Sequence, residues 1–309
     1  MSTDTSSLRA PTVLDPGSTL SGVSRTASTR PGSPESAPAN EVASGERFAF
    51  GANWRRFLDV LDEDRINAAR ESLVKRLETD SLSGRRFLDA GCGSGLFSLA
   101  AAQLGAAEVH SFDVDPESVQ CARVLAERYG PGTTTWRIEP GSVLDERYLA
   151  SLGAFDVVYS WGVLHHTGDL ARGLVNIASV VAPGGVLFIS VYNDQGLRSR
   201  VWREIKRTYN RIPPPLRMPY ALVVMAPFEL RALLISAVRG EPKAYLELWS
   251  NQRARGMSRW HDLIDWVGGY PFEVAKPDQV FNFYHSRGFE LLQLVVATSG
   301  CNEYVLRRT

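Results

Sequence analysis

Residues 86–95 read Arg-Phe-Leu-Asp-Ala-Gly-Cys-Gly-Ser-Gly, a short apolar run that ends in three glycines at alternate positions. Five residues of this kind, Arg86–Ala90, suit a buried strand, and the apolar and alanine-rich stretch from Leu96 suits a helix. A glycine loop between a strand and a helix lets backbone approach a ligand at the carboxyl end of a sheet, although such glycines also serve plain tight turns. Outward from this loop the same rhythm repeats. Strands are predicted at Val109–Val114, Thr134–Ile138, Phe155–Ser160 and Val186–Tyr192, with helices from Pro116 and over Asp169–Val181 between them. The turn before the last of these strands is assigned to Pro183-Gly184-Gly185. Alternating units of this sort build a parallel sheet covered by helices. A final helix from Pro277 precedes two strands, Phe289–Thr298 and Glu303–Arg307, too close together to pair other than antiparallel. The predicted fold is therefore α/β and Rossmann-like: a mostly parallel sheet with a C-terminal antiparallel hairpin.

Two details separate the glycine loop from a dinucleotide site. Gly91, Gly93 and Gly95 follow G-x-G-x-G rather than G-x-G-x-x-G spacing. Asp89, just before the loop, would repel a pyrophosphate but favours a ligand bearing ammonium and sulfonium charges. Asp113 closes the next strand, roughly 20 residues on, where a carboxylate can accept both hydroxyls of a ribose. Together these features disfavour a nicotinamide-dependent oxidoreductase.

At this point the sequence resembles the class I S-adenosylmethionine-dependent methyltransferases, in a pattern similar to the ubiquinone-biosynthesis type. Phe87–Gly95 looks like the first family motif and Phe112-Asp-Val-Asp115 like the acidic second. Phe155–Thr167 resembles the fourth strand with its loop, and Pro183–Ser190 the turn and fifth strand. The resemblance implies S-adenosylmethionine as cofactor, with its methionine part on the Gly91–Gly95 loop beside Asp89, its ribose on Asp113 and its adenine against Val114. Ser142, followed by Val143, stands where many relatives carry an acid for the adenine amino group; its hydroxyl can still accept that bond. Trp161 and Gly162 are expected to face the cofactor from the fourth loop.

Methyl transfer needs alignment above all, and sometimes removal of a proton. His165 and His166 are the candidate bases, with His166 preferred, because they lie on the loop after the fourth strand and imidazole titrates near neutrality. Tyr192, Asn193 and Asp194, just beyond the fifth strand, together with His261 and Tyr270, are the candidate substrate contacts; His261 could also act with Asp262 or Asp265. A small-molecule acceptor is expected, at oxygen, nitrogen or sulfur. RNA or protein methylation and a non-catalytic cofactor-binding role are the alternatives.

Residues 1–45 are rich in Ser, Thr, Pro, Gly and Ala and are assigned to a disordered tail. Residues 46–84 should form helices capping the cofactor site, 85–193 the binding core, 194–275 a helical lid insertion, and 276–309 the elements that complete the sheet. Lys plus Arg equals Asp plus Glu at 34 each, so the molecule as a whole has no field for phosphate backbones and a nucleic-acid partner is disfavoured. A local cluster remains in Arg198, Arg200, Arg203, Lys206, Arg207 and Arg211. Cys92, Cys121 and Cys301 have no metal-ligand spacing, so no metal and a reducing, cytoplasmic setting are expected. The apolar stretch Tyr220–Val238 contains Glu229 and Arg231 and is interrupted by Pro227, so it is assigned to a buried or lid helix rather than a transmembrane segment, with interfacial contact as the alternative. Monomer and homodimer are equally compatible with the sequence.

Overall fold

The computed structural model of the protein describes residues 37–240, 243, 259–298 and 300–309. Of the expected N-terminal tail, residues 1–36 lie outside the described residues, while Ala37–Ala43 forms a short helix, α1. Two helices follow, α2 (Phe50–Leu58) and α3 (Glu63–Leu77). The core then alternates β1 (Arg86–Ala90), α4 (Leu96–Gln103), β2 (Glu108–Asp113), α5 (Pro116–Tyr129), β3 (Thr135–Pro140), α6 (Glu146–Leu152), β4 (Phe155–Ser160), α7 (Leu170–Ser179) and β5 (Val181–Tyr192). Aspartates set many of these boundaries. The side chains of Asp62, Asp115, Asp145 and Asp169 each accept a backbone N–H at the start of α3, α5, α6 and α7, satisfying donors the helix cannot.

Seven strands form one sheet in the order β3-β2-β1-β4-β5-β7-β6, where β6 is Phe289–Val295 and β7 is Cys301–Arg308. The first five run parallel, and β7 pairs antiparallel with both β5 and β6. The expected turn at Pro183–Gly185 is instead an irregularity inside β5: Phe155 pairs with Val181, and the register resumes at Val157 with Val186. Because a ladder partner is available on either side, the chain bulges there without leaving the sheet.

The central strands of the sheet are buried on both faces. Leu88, Val158, Leu187 and Ile189 pack with Leu174 and Ile177 of α7 and with Tyr284 of α11 (Pro277–His285). Phe87, Val109, Tyr159 and Phe188 face Leu73 of α3 and the alanines of α4. Strand order reverses direction of travel between β1 and β4, so the loops after these two strands diverge and leave a crevice, the position where open α/β sheets bind ligands.

Between β5 and α11 lie α8 (Leu197–Arg211), α9 (Pro214–Val238) and α10 (Arg259–Gly268). Pro219 and Pro227 do not break α9, which runs unbroken for 25 residues. Both prolines are exposed, so the carbonyls they free, four residues earlier, are not sealed into a dry core. Nor is α9 a buried helix. Only Ala221, Met225 and Ser236 are buried, the first two packing with Phe48, Tyr209, Leu263, Ile264 and Val267.

Candidate functional site

The crevice at the reversal point opens into a cavity of about 700 Å³. Its floor is the loop after β1: Asp89, Gly91, Cys92, Gly93 and Ser94 line it, as do Asp113 and Val114 at the end of β2 and Ser142 and Val143 after β3. Trp161, Gly162, His165 and His166 reach it from the loop after β4, and Tyr192 from the end of β5. Thus most of the residues singled out from sequence meet around one space.

The glycines are required by geometry here. Gly91 and Gly93 have φ of +81° and +54°, and a Cβ on either would collide with Val163 or with the Trp54 indole. Gly95 stands one step behind the wall; it opens α4 and lies directly against Ala122 of α5.

Two carboxylates face the same space from adjacent strands. Asp89 is buried and accepts the Ser98 hydroxyl at 2.5 Å. Ser98 in turn accepts from Ser111 at 2.7 Å, and Ser111 from Trp136 Nε1 at 2.8 Å, so a chain of donors fixes the carboxylate's orientation. Asp113 accepts the Gly93 N–H and the Asp115 N–H, each at 2.9 Å. Burial pushes Asp89 up to about 7 and Asp113 up to about 6, since neither carboxylate is fully compensated for lost water. A cationic ligand carrying hydroxyls supplies what both lack. Burial also holds the Cys92 thiol well above its usual range, which disfavours the thiolate.

The two histidines differ. His166 Nδ1 lies 2.6 Å from the Pro271 carbonyl oxygen, which can only accept, so Nδ1 carries the proton and Nε2 keeps its lone pair. Burial, with the nearby His165 and Lys206, keeps the ring neutral, well below the usual imidazole range. His165 is pushed down to about 3 by burial and packs between His166 and Tyr192, with ring centroids 4.4 and 4.2 Å away. Glu273 clamps this loop by accepting the Gly168 and Leu170 N–H groups, while its own N–H donates to the His165 carbonyl. Arg47 adds a second clamp, donating to the His166 carbonyl at 3.0 Å.

Other expected contacts fall elsewhere. Asn193 donates to the Ala297 carbonyl and pairs with Ala275, and Asp194 accepts the Gly196 N–H; both organise the exit from β5 and neither lines the cavity. Tyr270 accepts the Phe48 N–H through its carbonyl and is likewise not a lining residue. The side chains of His261, Asp262 and Asp265 lie outside the described residues. The basic cluster of α8 is dispersed. Lys206 is buried, donating to the Trp266 carbonyl with its ammonium 5.3 Å from the Tyr192 ring and 5.0 Å from Phe272, and Arg203 donates to the Phe272 carbonyl.

Several lining residues escaped the sequence. Arg47, Phe48 and Phe50 come from the segment before and within α2, Met225, Phe228 and Glu229 from α9, Leu263 and Trp266 from α10, and Gly300 and Cys301 from the start of β7. The aromatic content of the insertion was the available signal for Phe228 and Trp266. Nothing local distinguishes Arg47 or Met225. The N-terminal wall is tied down by Asp115, which accepts the Gly51 N–H at 2.8 Å and, through its other oxygen, the Glu117 N–H of α5.

Comparisons with known proteins agree with this architecture. A family model for a methyltransferase domain matches residues 61–223. The chain is similar to the ubiquinone biosynthesis O-methyltransferase of Parvibaculum lavamentivorans, at 33% identity over 173 residues covering 52% of this chain and 66% of that protein. It is also similar to the ribosomal protein L11 methyltransferase of Escherichia coli, at 34% identity over 100 residues covering 28% of this chain and 33% of the relative. The chain thus matches between a third and just under two-thirds of the length of these relatives. PKMT2 from Rickettsia typhi shares the fold, with a TM-score of 0.51 at 13% identity over 74% of this chain and 49% of that one.

Proposed function

The chain belongs to the class I S-adenosylmethionine-dependent methyltransferase family, and from that premise we propose that it transfers a methyl group to a small molecule lodged in the aromatic half of the cavity. The observation that carries this reading is the division of one cavity into two chemically distinct halves. The lining set after β1 and β2 is polar and acidic, with Asp89, the glycine loop, Asp113 and Val114; that from β5 and the insertion is apolar and aromatic, with Tyr192, Met225, Phe228 and Trp266, and the two histidines also line the cavity. Apolar walls with a few placed polar groups suit a small acceptor. The ubiquinone-biosynthesis relative supports an acceptor of this size, and the overall balance of 34 basic and 34 acidic residues gives the molecule no net field for RNA.

In this assignment Asp89 and the loop amides hold the amino-acid end of the donor, Asp113 the ribose hydroxyls, and Val114, Ser142 and Val143 the adenine. Trp161, whose indole N–H donates to Glu303 at 3.1 Å, closes the side of the pocket. When bound, S-adenosylmethionine supplies a methyl carbon activated by its sulfonium. The protein's own work is then to align the acceptor and exclude water. His166 Nε2, with Nδ1 committed to Pro271, is unprotonated near neutrality and, though burial makes it a weaker base than a free imidazole, accepts the hydrogen bond of an oxygen or nitrogen acceptor and takes its proton as the methyl transfers; a thioether acceptor would need no such base.

His166→Gln should therefore lower kcat by roughly 10²- to 10⁴-fold, the usual contribution of a positioned base, with donor affinity unchanged. An unaltered kcat would assign His166 to loop packing alone.

Donor binding should also depend on pH. Asp89 begins to protonate below about 7, and the cationic donor requires the carboxylate, so binding expels a proton. Affinity is then at its plateau above pH 8, weakens by about tenfold per unit as pH falls from 7 to 6, and falls more steeply below 6, where Asp113 protonates as well. Calorimetry in buffers of different ionisation heat measures that proton release; Asp89→Asn should abolish it near neutrality.

The acceptor is tested by incubating cell extract with the protein and methyl-labelled donor, followed by mass spectrometry. Label in a small, solvent-extractable compound is the expected result, and label confined to RNA or protein would overturn the reading.

A further inference from the structure

Helix α9 turns its apolar side outward. Leu216, Val223, Leu230 and Leu234 recur at intervals of seven, seven and four, which places them on one stripe, and they are 55, 72, 56 and 55% exposed. The opposite side carries the buried Ala221 and Met225 that attach the helix to α10 and Phe48. Leu222, Leu233, Ile235 and Val238, also exposed, flank this strip. Contiguous patches of this extent on a soluble protein mark an interaction surface.

The rim is basic. Arg198, Arg200 and Arg211 of α8 are exposed, as are Arg231 of α9 and Arg239 at its end, whereas the exposed acid of the two helices among the described residues is Glu204, paired with Arg207. The exposed side of α8 adjoins α9 directly, since Arg200, Val201 and Thr208 share a shallow groove with Tyr220. Leu197 and Val201 extend the apolar surface at 74 and 52% exposure.

By length and composition α9 could cross a bilayer, its most apolar 18 residues having a mean hydropathy of 1.9. Topology forbids a lone crossing. β5, which precedes it, and β7, which follows later in the chain, are hydrogen-bonded neighbours from Val186–Arg307 to Tyr192–Cys301, so both ends of the insertion must lie on the same side. Self-association through this face is disfavoured too, because a two-fold contact would bring two arginine rims together. An anionic surface accepts apolar stripe and rim alike.

We propose that α9 lies flat on an anionic bilayer surface, its Leu216–Leu234 stripe among the acyl chains and the arginines of α8 and α9 at the headgroups. Met225, Phe228 and Glu229 of the same helix line the cavity. The acceptor, a consequence that rests on the methyl-transfer reading above, is therefore a lipid-soluble compound that enters beneath α9.

The test is flotation of the full chain with vesicles of phosphatidylcholine alone or mixed with phosphatidylglycerol. Binding to the anionic vesicles should exceed binding to the neutral ones by at least about tenfold, given about 1 kcal/mol per arginine near such a surface. A Leu230→Glu, Leu234→Glu double variant, which leaves the cavity wall intact, should lose at least about tenfold in vesicle binding, while its S-adenosylmethionine affinity by calorimetry stays at the wild-type value and certifies the fold. Wild-type protein that remains soluble with both vesicles overturns the proposal, as does a double variant that floats like wild type. Absence of flotation together with a dimer that the double variant dissociates would assign the face to a second copy. Flotation without methylation of any lipid-soluble compound would leave the surface standing and remove the acceptor assignment.

Discussion

Asp113→Ala is expected to weaken S-adenosylmethionine binding by about a hundredfold or more. Two hydroxyls bonded to one carboxylate contribute about 1.5–3 kcal/mol each, and about 1.4 kcal/mol is a factor of ten. Part of that is offset, because the free carboxylate is itself held in an unfavourable place, with burial raising it to about 6. The variant also strands the Gly93 and Asp115 N–H groups that Asp113 accepts, which loosens the loop without dismantling the sheet. Asp113→Asn, which keeps one acceptor oxygen, should lose less, about tenfold. Calorimetric titration distinguishes these outcomes; an affinity equal to wild type in the alanine variant would remove Asp113 from the ribose site.

Gly95→Ala should cost about 2–5 kcal/mol of stability. An L-residue in the left-handed region costs about 1–2 kcal/mol, and Gly95 sits at φ +81°. Overpacking contributes about 1–3 kcal/mol more, because the new Cβ would lie 2.8 Å from the Ala122 Cβ and 2.9 Å from its Cα. Helix α4 would have to move off α5, carrying the end of the glycine loop with it. For a domain of this size the melting temperature should fall by about 5–15 °C. Gly105→Ala is the internal control: its φ is +83°, yet nothing lies within 4 Å of the added carbon, so it should pay only the conformational part. If the two variants melt together, the close approach of α4 and α5 is not what Gly95 is for.

The parts of the fold legible in the sequence are those written in local pattern. Arg86–Ala90 and Phe155–Ser160 are short segments rich in apolar residues with sharp ends, and the strands there match the expected bounds. The carboxylates and glycines of the cavity floor were legible because each is fixed by position on a strand end, where the sheet dictates direction. The lid was not. Whether a side chain beyond β5 faces the cavity depends on how α8, α9 and α10 pack, and helical period alone does not say which face is inward. Asn193 and Asp194, adjacent to Tyr192 in sequence, are used up on backbone partners, while Arg47 and Cys301, remote in sequence from β4, line the wall. The same limit explains α9, whose composition suggests burial but whose stripe faces out.

The central claim, that Asp89, the Gly91–Gly95 loop and Asp113 hold the donor while the Tyr192–Trp266 half receives the acceptor, is tested most directly by a crystal structure with S-adenosylhomocysteine. The expected density has the ribose hydroxyls on Asp113, the amino-acid end at Asp89 and the loop, and the sulfur turned towards His166. Density lodged instead among Tyr192, Met225 and Trp266, with Asp113 making no contact, would contradict it.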